Sequence, residues 1–116
     1  MKRSVGAPMT GCNTGVEHGG RACHVQTEDS GLEHPHVITH LFANGGRVVA
    51  TRRTGYGPVV GTSSCAELVR FLIKLQHRTM LQSLTKGAYD RALVDDAAPP
   101  VQEPGLALET VQELLE

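Results

Sequence analysis

HVITHLFANGGRVVATRRT, residues 36–54, is the stretch that decides the fold. β-Branched and other apolar residues alternate with polar ones on both sides of Asn44-Gly45-Gly46. An Asn-Gly pair between two such runs is a strong signal for a tight β-hairpin, because both residues tolerate positive φ. We therefore predict antiparallel strands over residues 36–43 and 47–54.

The preceding residues repeat this arrangement. In CNTGVEHGGRACHVQTED (12–29), Gly19-Gly20 separates a weaker strand at 12–18 from a better one at 21–28. Side chains alternate between the two faces of a strand. One face of the second strand therefore carries Cys23, Val25 and Thr27, and the other carries His24, Gln26 and Glu28. Together these segments predict a four-stranded antiparallel meander.

One long helix is predicted after the meander, over residues 64–86. Ser64 and Glu67 have the spacing of a capping box, and Gly87 stands where a helix commonly ends in the left-handed conformation. Its apolar residues cover more of the circumference than one sheet face can bury, so a second covering surface is expected. The predicted fold is one small α+β domain over residues 12–94, in which the four-stranded meander is followed by the long helix packed on one sheet face.

The two ends of the chain have a different composition. Residues 1–11 are polar and are expected to be flexible. Residues 95–105 (DDAAPPVQEPG) are expected to form a stiff, Pro-rich acidic linker. Residues 106–116 have the pattern of a short amphipathic helix that folds only when it docks. Its proposed anchors for a partner groove are Leu108, Val111, Leu114 and Leu115.

The net charge of −1 is the sum of two opposite blocks. All 11 Lys and Arg lie before Asp95 with six acids, which gives +5, and the remaining residues hold six acids and no base, which gives −6. Such segregation favours contact between tail and body, or separate partners. A basic docking surface for an acidic protein segment is expected rather than a nucleic-acid site, because stacking aromatics are few. Its residues are Arg47, Arg52 and Arg53, joined by Arg70, Lys74, Arg78 and Lys86 on the helix.

A metal-dependent or thiol enzyme is the alternative hypothesis. Zinc needs three or four N or S ligands that converge on one point. The candidates are His24, His36, His40 and Cys23, with His34 nearby. On one strand, however, His36 and His40 would lie roughly 13 Å apart. Cys65 at a helix N-terminus would have a lowered thiol pKa, but no base stands in register with it. We therefore expect no catalytic residues, no metal and no cofactor.

Cysteine usage and hydropathy bear on location. Three cysteines without a paired motif, Cys12, Cys23 and Cys65, are typical of a reduced compartment. The first residues contain no apolar run of a signal peptide, and no stretch approaches the ~20 apolar residues that span a bilayer. A cytoplasmic protein without membrane insertion is expected.

Three stretches carry a resemblance to a known type of protein: HVQTEDSG, then HPHVITHLFANGGRVVATRRTGY, then LQHRTML in the helix. Residues 16–90 resemble a small domain of delta-proteobacteria, especially myxobacteria, although Ala22-Cys23 stands where a bulky aromatic is expected. The resemblance implies an accessory or regulatory module without enzymatic activity. More loosely, it implies a partner of the Ras-like GTPase that sets cell polarity and motility in gliding bacteria, acting with a response-regulator protein to promote nucleotide exchange.

The leading hypothesis is therefore a non-catalytic protein–protein interaction module that serves as a bacterial regulatory adaptor. A homodimer formed through the helix around Phe71 and Ile73 is compatible with it.

Overall fold

The computed structural model describes residues 11–116. Four strands follow one another as an antiparallel meander: β1 (Cys12–His18), β2 (Arg21–Asp29), β3 (His36–Ala43) and β4 (Val48–Gly55). The predicted strands are confirmed to within one residue at each end. The expected flexibility of residues 1–11 concerns a segment that lies, except for Gly11, outside the described residues.

Two tight turns set the register of the meander. Gly19 and Gly20 connect β1 to β2 at φ of 60° and 77°, and Gly45 and Gly46 connect β3 to β4 at 91° and 92°. These left-handed conformations cost glycine little, which is why the two Gly-Gly pairs mark the turns. A bulge between Leu41 and Phe42 follows from the longer second turn.

The long helix α1 (Cys65–Thr85) covers one face of the sheet. The predicted capping box does not form, because the Ser64 side chain makes no cap hydrogen bond. Instead, the backbone carbonyl of Thr62 accepts from the Cys65 amide, so a turn leads directly into the helix. The end of α1 is as predicted: Gly87 has φ of 90°, and its amide donates to the Leu84 carbonyl.

The C-terminal region corrects the prediction of a four-stranded sheet with one long helix. The structure has a fifth strand and three helices: α1, the short α2 (Asp90–Val94), β5 (Val101–Glu103) and α3 (Leu108–Leu115). β5 pairs in parallel with β4, so the strand order is β1-β2-β3-β4-β5. The segment predicted as a linker is extended, and the free edge of β4 offers it backbone hydrogen-bond partners.

The core lies between the sheet and the helices in two clusters. One cluster joins Val25 and Leu41 of the sheet to Met80 and Leu84 of α1. The other joins Val37, Leu68 and Leu72 to Val111 of α3, which is 1% exposed. The second covering surface that the excess apolar residues of α1 required is thus provided by α3 of the same chain. Within residues 11–116, no helix has the length and apolar character that crossing a bilayer requires.

Candidate functional site

The histidines of the HVQTED and HVITH stretches lie apart. His24 on β2 is exposed and hydrogen-bonded to Asn13 on β1. On β3, His36 is 2.9 Å from the Ser30 hydroxyl, and Nδ1 of His40 is 3.0 Å from the Thr51 hydroxyl. In the part of the chain that the structure describes, no three His, Cys, Asp or Glu side chains are grouped so that they could hold a metal ion.

Burial changes the thiol pKa of the two candidate nucleophiles, Cys23 and Cys65. It raises the pKa of the Cys23 thiol, and the Arg21 charge offsets this only in part. The pKa of the Cys65 thiol is also raised, first by burial and then by the Asp29 carboxylate. The expected lowering of the Cys65 pKa by the helix dipole is therefore wrong. A thiol with a raised pKa stays protonated at neutral pH and is a weak nucleophile.

The three stretches that carry the family resemblance meet in the protein interior. Thr27 of HVQTED lies 2.8 Å from Nδ1 of His77 in LQHRTML, whose Nε2 lies 2.8 Å from the Thr14 hydroxyl. Thr27 also lies 2.7 Å from the Thr39 hydroxyl. A neutral imidazole thus bridges two strands to the helix, and burial lowers the pKa of His77.

Gln76, which is fully buried beside His77, anchors the same layer. Its amide nitrogen donates to the carbonyls of Val37 and Arg52, at 3.2 and 3.1 Å, and to the Thr39 hydroxyl at 3.1 Å. Its amide oxygen accepts from the Thr54 hydroxyl. Buried polar groups need such partners, and a satisfied network specifies one packing of helix on sheet.

A second bond of this kind joins Tyr56 to the end of β2. The Tyr56 hydroxyl donates to Asp29 at 2.6 Å, and the Gly31 amide donates to the same carboxylate oxygen at 3.0 Å. Burial, followed by the bond to Asp29, raises the pKa of the Tyr56 phenol. Residues of the three quoted stretches therefore hold the sheet, the helix and the following loop together.

The three sheet arginines of the predicted basic docking surface have different surroundings. Arg47 donates to the carbonyls of Ala92 and Leu93, both at 3.1 Å, and lies 3.8 Å from a carboxylate oxygen of Asp96. Arg52 is 8% exposed and donates to the Pro104 carbonyl at 2.6 Å. These two arginines hold the C-terminal segment against the body, whereas Arg53 is exposed on the opposite face of the sheet.

The apolar residues predicted to bind a partner also differ in burial. Ile73 and Val111 are buried within the chain, at 3% and 1% exposure. Phe71, Leu108 and Leu115 are partly buried in the contact between α1 and α3, while Leu114 remains 60% exposed. Most of this apolar surface is therefore occupied by the chain itself, and the dimer predicted around Phe71 and Ile73 has little free surface there.

The solvent face of α1 carries a continuous row of positive charge. Arg70, Lys74 and Arg78 stand four residues apart and are all exposed, and Lys86 follows at the end of the helix. Among the described residues, none of these four cations lies within ion-pair distance of a carboxylate. We call the three helical residues Arg70, Lys74 and Arg78 the basic face of α1.

The second candidate surface is the sheet face that α1 leaves uncovered, which we call the open face. Its central strand, β3, presents Ile38, His40 and Phe42, all half-buried, with the rings of His40 and Phe42 5.5 Å apart. Glu28 on β2 and Arg53 on β4 are exposed beside Ile38. No described element packs over this face.

These features define an α+β protein with a five-stranded, mostly antiparallel sheet and two surfaces available to other molecules. Comparison with protein-family models, with curated proteins and with solved structures found no match.

Proposed function

We propose that this chain is a non-catalytic protein-interaction module that acts as a regulatory adaptor in the bacterial cytoplasm. It binds an acidic segment of another protein through the basic face of α1. The observation that carries the proposal is the row of Arg70, Lys74 and Arg78, exposed and without an ion-pair partner among the described residues.

The spacing of the basic face suits a regular, extended ligand. A helix rises 1.5 Å per residue, so Arg70 and Arg78 lie about 12 Å apart along the axis. An acidic helix with carboxylates at every fourth position would match that spacing. Complementary charge of this kind raises the association rate and selects the partner more than it adds affinity.

The acidic helix of the chain itself leaves the basic face open. α3 packs beside α1 through Leu108 and Val111, and its carboxylates at Glu109, Glu113 and Glu116 are exposed. None of these three lies within ion-pair distance of any base in the described part of the chain. The positive charge of α1 is therefore available to an outside carboxylate.

A Ras-like GTPase, or a response-regulator-type protein that acts with it, is the partner that the family resemblance supports. Such an adaptor needs no chemistry to promote nucleotide exchange. If it binds the nucleotide-free GTPase more tightly than the nucleotide-bound form, linkage requires that it weakens nucleotide binding by the same factor.

The test is a titration of the purified chain against a fluorescently labelled candidate GTPase, followed by release of a fluorescent nucleotide. The Arg70→Glu/Lys74→Glu variant should bind about 10–100-fold more weakly and lose the effect on release. The matched control, Arg21→Glu/Arg91→Glu, reverses two exposed charges elsewhere and should stay within about twofold of the unmodified chain.

Equal loss in both variants would mean that net charge, rather than the basic face, governs binding. Unchanged affinity in the α1 variant would overturn the proposed docking surface. Faster nucleotide release without dependence on either pair would assign the regulatory contact to another surface.

A further inference from the structure

The open face has more apolar character than a solvent-facing sheet requires. β3 lies at its centre and contributes Ile38 and Phe42, which are both partly exposed. Large apolar side chains in the middle of an exposed sheet face are typical of a face that packs against another layer. When two sheets pack face to face, they lie about 10 Å apart and bury such side chains between them.

One row across this face carries opposite charges on its two flanks. Glu28 on β2 is directly opposite Ile38 on β3, and Ile38 is directly opposite Arg53 on β4. Neighbouring strands are about 4.8 Å apart, so the two charged residues stand about 10 Å from each other with Ile38 between them. Neither has an ion-pair partner in the described region of the chain.

We propose that the open face binds a second copy of this chain, around a two-fold axis that runs along β3 between two stacked sheets. Rotation about this axis leaves each residue at the same height along the strand, and it places β2 of one copy over β4 of the other. Ile38 then meets Ile38 of the other copy, and Glu28 of each copy faces Arg53 of the other. The interface repeats both ion pairs, as a two-fold symmetric contact requires.

The neighbouring rows are also compatible with this axis. Gln26, His40 and Thr51 form the next row, so the Gln26 amide of one copy faces the Thr51 hydroxyl of the other. In the third row Phe42 meets its own symmetry mate. An open depression of about 400 Å³ beside Phe42, lined in part by Asn13 and Asn44, leaves room for the opposing ring.

The size of the open face fits a stable interface. The four strands of the meander span about 19 Å, seven residues of strand span about 23 Å, and β5 adds three residues at one edge. The projected area is therefore on the order of 500 Å², and side-chain relief raises it toward the ~800 Å² per partner of a standard interface. Aligned sheets pack within about 30° of each other, which keeps the central rows in register.

Charge reversal tests the proposal directly. In sedimentation equilibrium at micromolar and higher concentration, the unmodified chain should show a mass of twice 12.4 kDa. Glu28→Arg alone, or Arg53→Glu alone, places like charges against each other twice and should weaken the dimer by about 100-fold or more. The double variant Glu28→Arg/Arg53→Glu restores both pairs and should dimerise again.

A mixture of the two single variants gives the sharpest result. One variant is positive at both positions and the other is negative at both, so the two should form a heterodimer although each alone is monomeric. Glu113→Arg, at an exposed position of α3 on the other side of the molecule, is the matched control and should leave the dimer intact. Circular dichroism checks that each variant is folded.

A strict monomer in the unmodified chain overturns the proposal, and so does a dimer that persists in both single variants. A double variant that fails to recover would overturn the pairing of Glu28 with Arg53 across the two-fold axis. The outcome is independent of the proposed partner surface, because Arg70→Glu/Lys74→Glu changes α1 on the other side of the molecule and should leave the dimer unaffected.

Discussion

Replacing Gln76 by alanine should remove much of the stability of this small protein. The side chain is fully buried and makes hydrogen bonds to two backbone carbonyls and two hydroxyls. Thr39 keeps its bond to Thr27, so three groups lose a partner: the carbonyls of Val37 and Arg52 and the Thr54 hydroxyl. Each of these groups keeps another partner in the sheet or, for Thr54, in the Leu106 amide, so the loss is the net value of each hydrogen bond: at about 1 kcal/mol each, the three contribute about 3 kcal/mol. The cavity left by the shortened side chain adds about 1 kcal/mol, for a total of about 4 kcal/mol.

Equilibrium unfolding in urea measures this loss as a lower midpoint with an unchanged slope. Gln82→Ala is the matched control, because Gln82 is exposed on the same helix. It should change the unfolding free energy by no more than about 0.5 kcal/mol. If Gln76→Ala cost less than about 1 kcal/mol, the buried network around Gln76 would not be what holds the helix on the sheet.

Three further predictions address other parts of the fold. Burial lowers the pKa of His77 below its usual 6.5, so its contribution to stability is full above about pH 6.5 and is lost as the pH falls through the folded-state pKa. The slope should reach up to about 1.4 kcal/mol per pH unit in urea midpoints, and His77→Gln should remove it. Tyr56→Phe deletes a buried bond to Asp29 and should cost about 1–3 kcal/mol in thermal unfolding, whereas no change would contradict the role given to that bond. Val111→Ala should cost about 1–3 kcal/mol and increase hydrogen exchange in α3, whereas the exposed Leu114→Ala should do neither.

The strands and the long helix were predictable because their signals are local. Alternation of side chains and the two Gly-Gly turns define the meander without knowledge of anything distant. β5 was missed because its pairing depends on the free edge of β4, about 50 positions earlier in the chain. The capping box was predicted from spacing alone, but Ser64 has φ of −98° and ψ of 5° rather than the extended conformation typical of an N-cap, and its side chain makes no cap hydrogen bond.

The buried network could have been detected in part. Thr27 stands on the same strand face as Cys23 and Val25, which marks it as a buried polar residue. Gln76 and His77 interrupt the apolar stripe of the helix at positions that face the sheet. These patterns indicate that polar groups are buried, but they do not identify the pairs, since the partners come from strands whose register is set by the whole sheet.

The segregation of charge has a structural consequence that composition could not reveal. Arg47 donates to the backbone carbonyls just before the tail and Arg52 to the Pro104 carbonyl within it. Most carboxylates of the tail therefore stay exposed, and the bases of α1 have no ion-pair partner among residues 11–116. A dimer built on the open face would place α1 on both outer sides of the sandwich, with one basic face on each. Such an adaptor would present two identical docking surfaces that face away from each other. Binding of one partner would therefore not block the second site, and the affinity per site should be the same in the dimer and in the charge-reversed monomer.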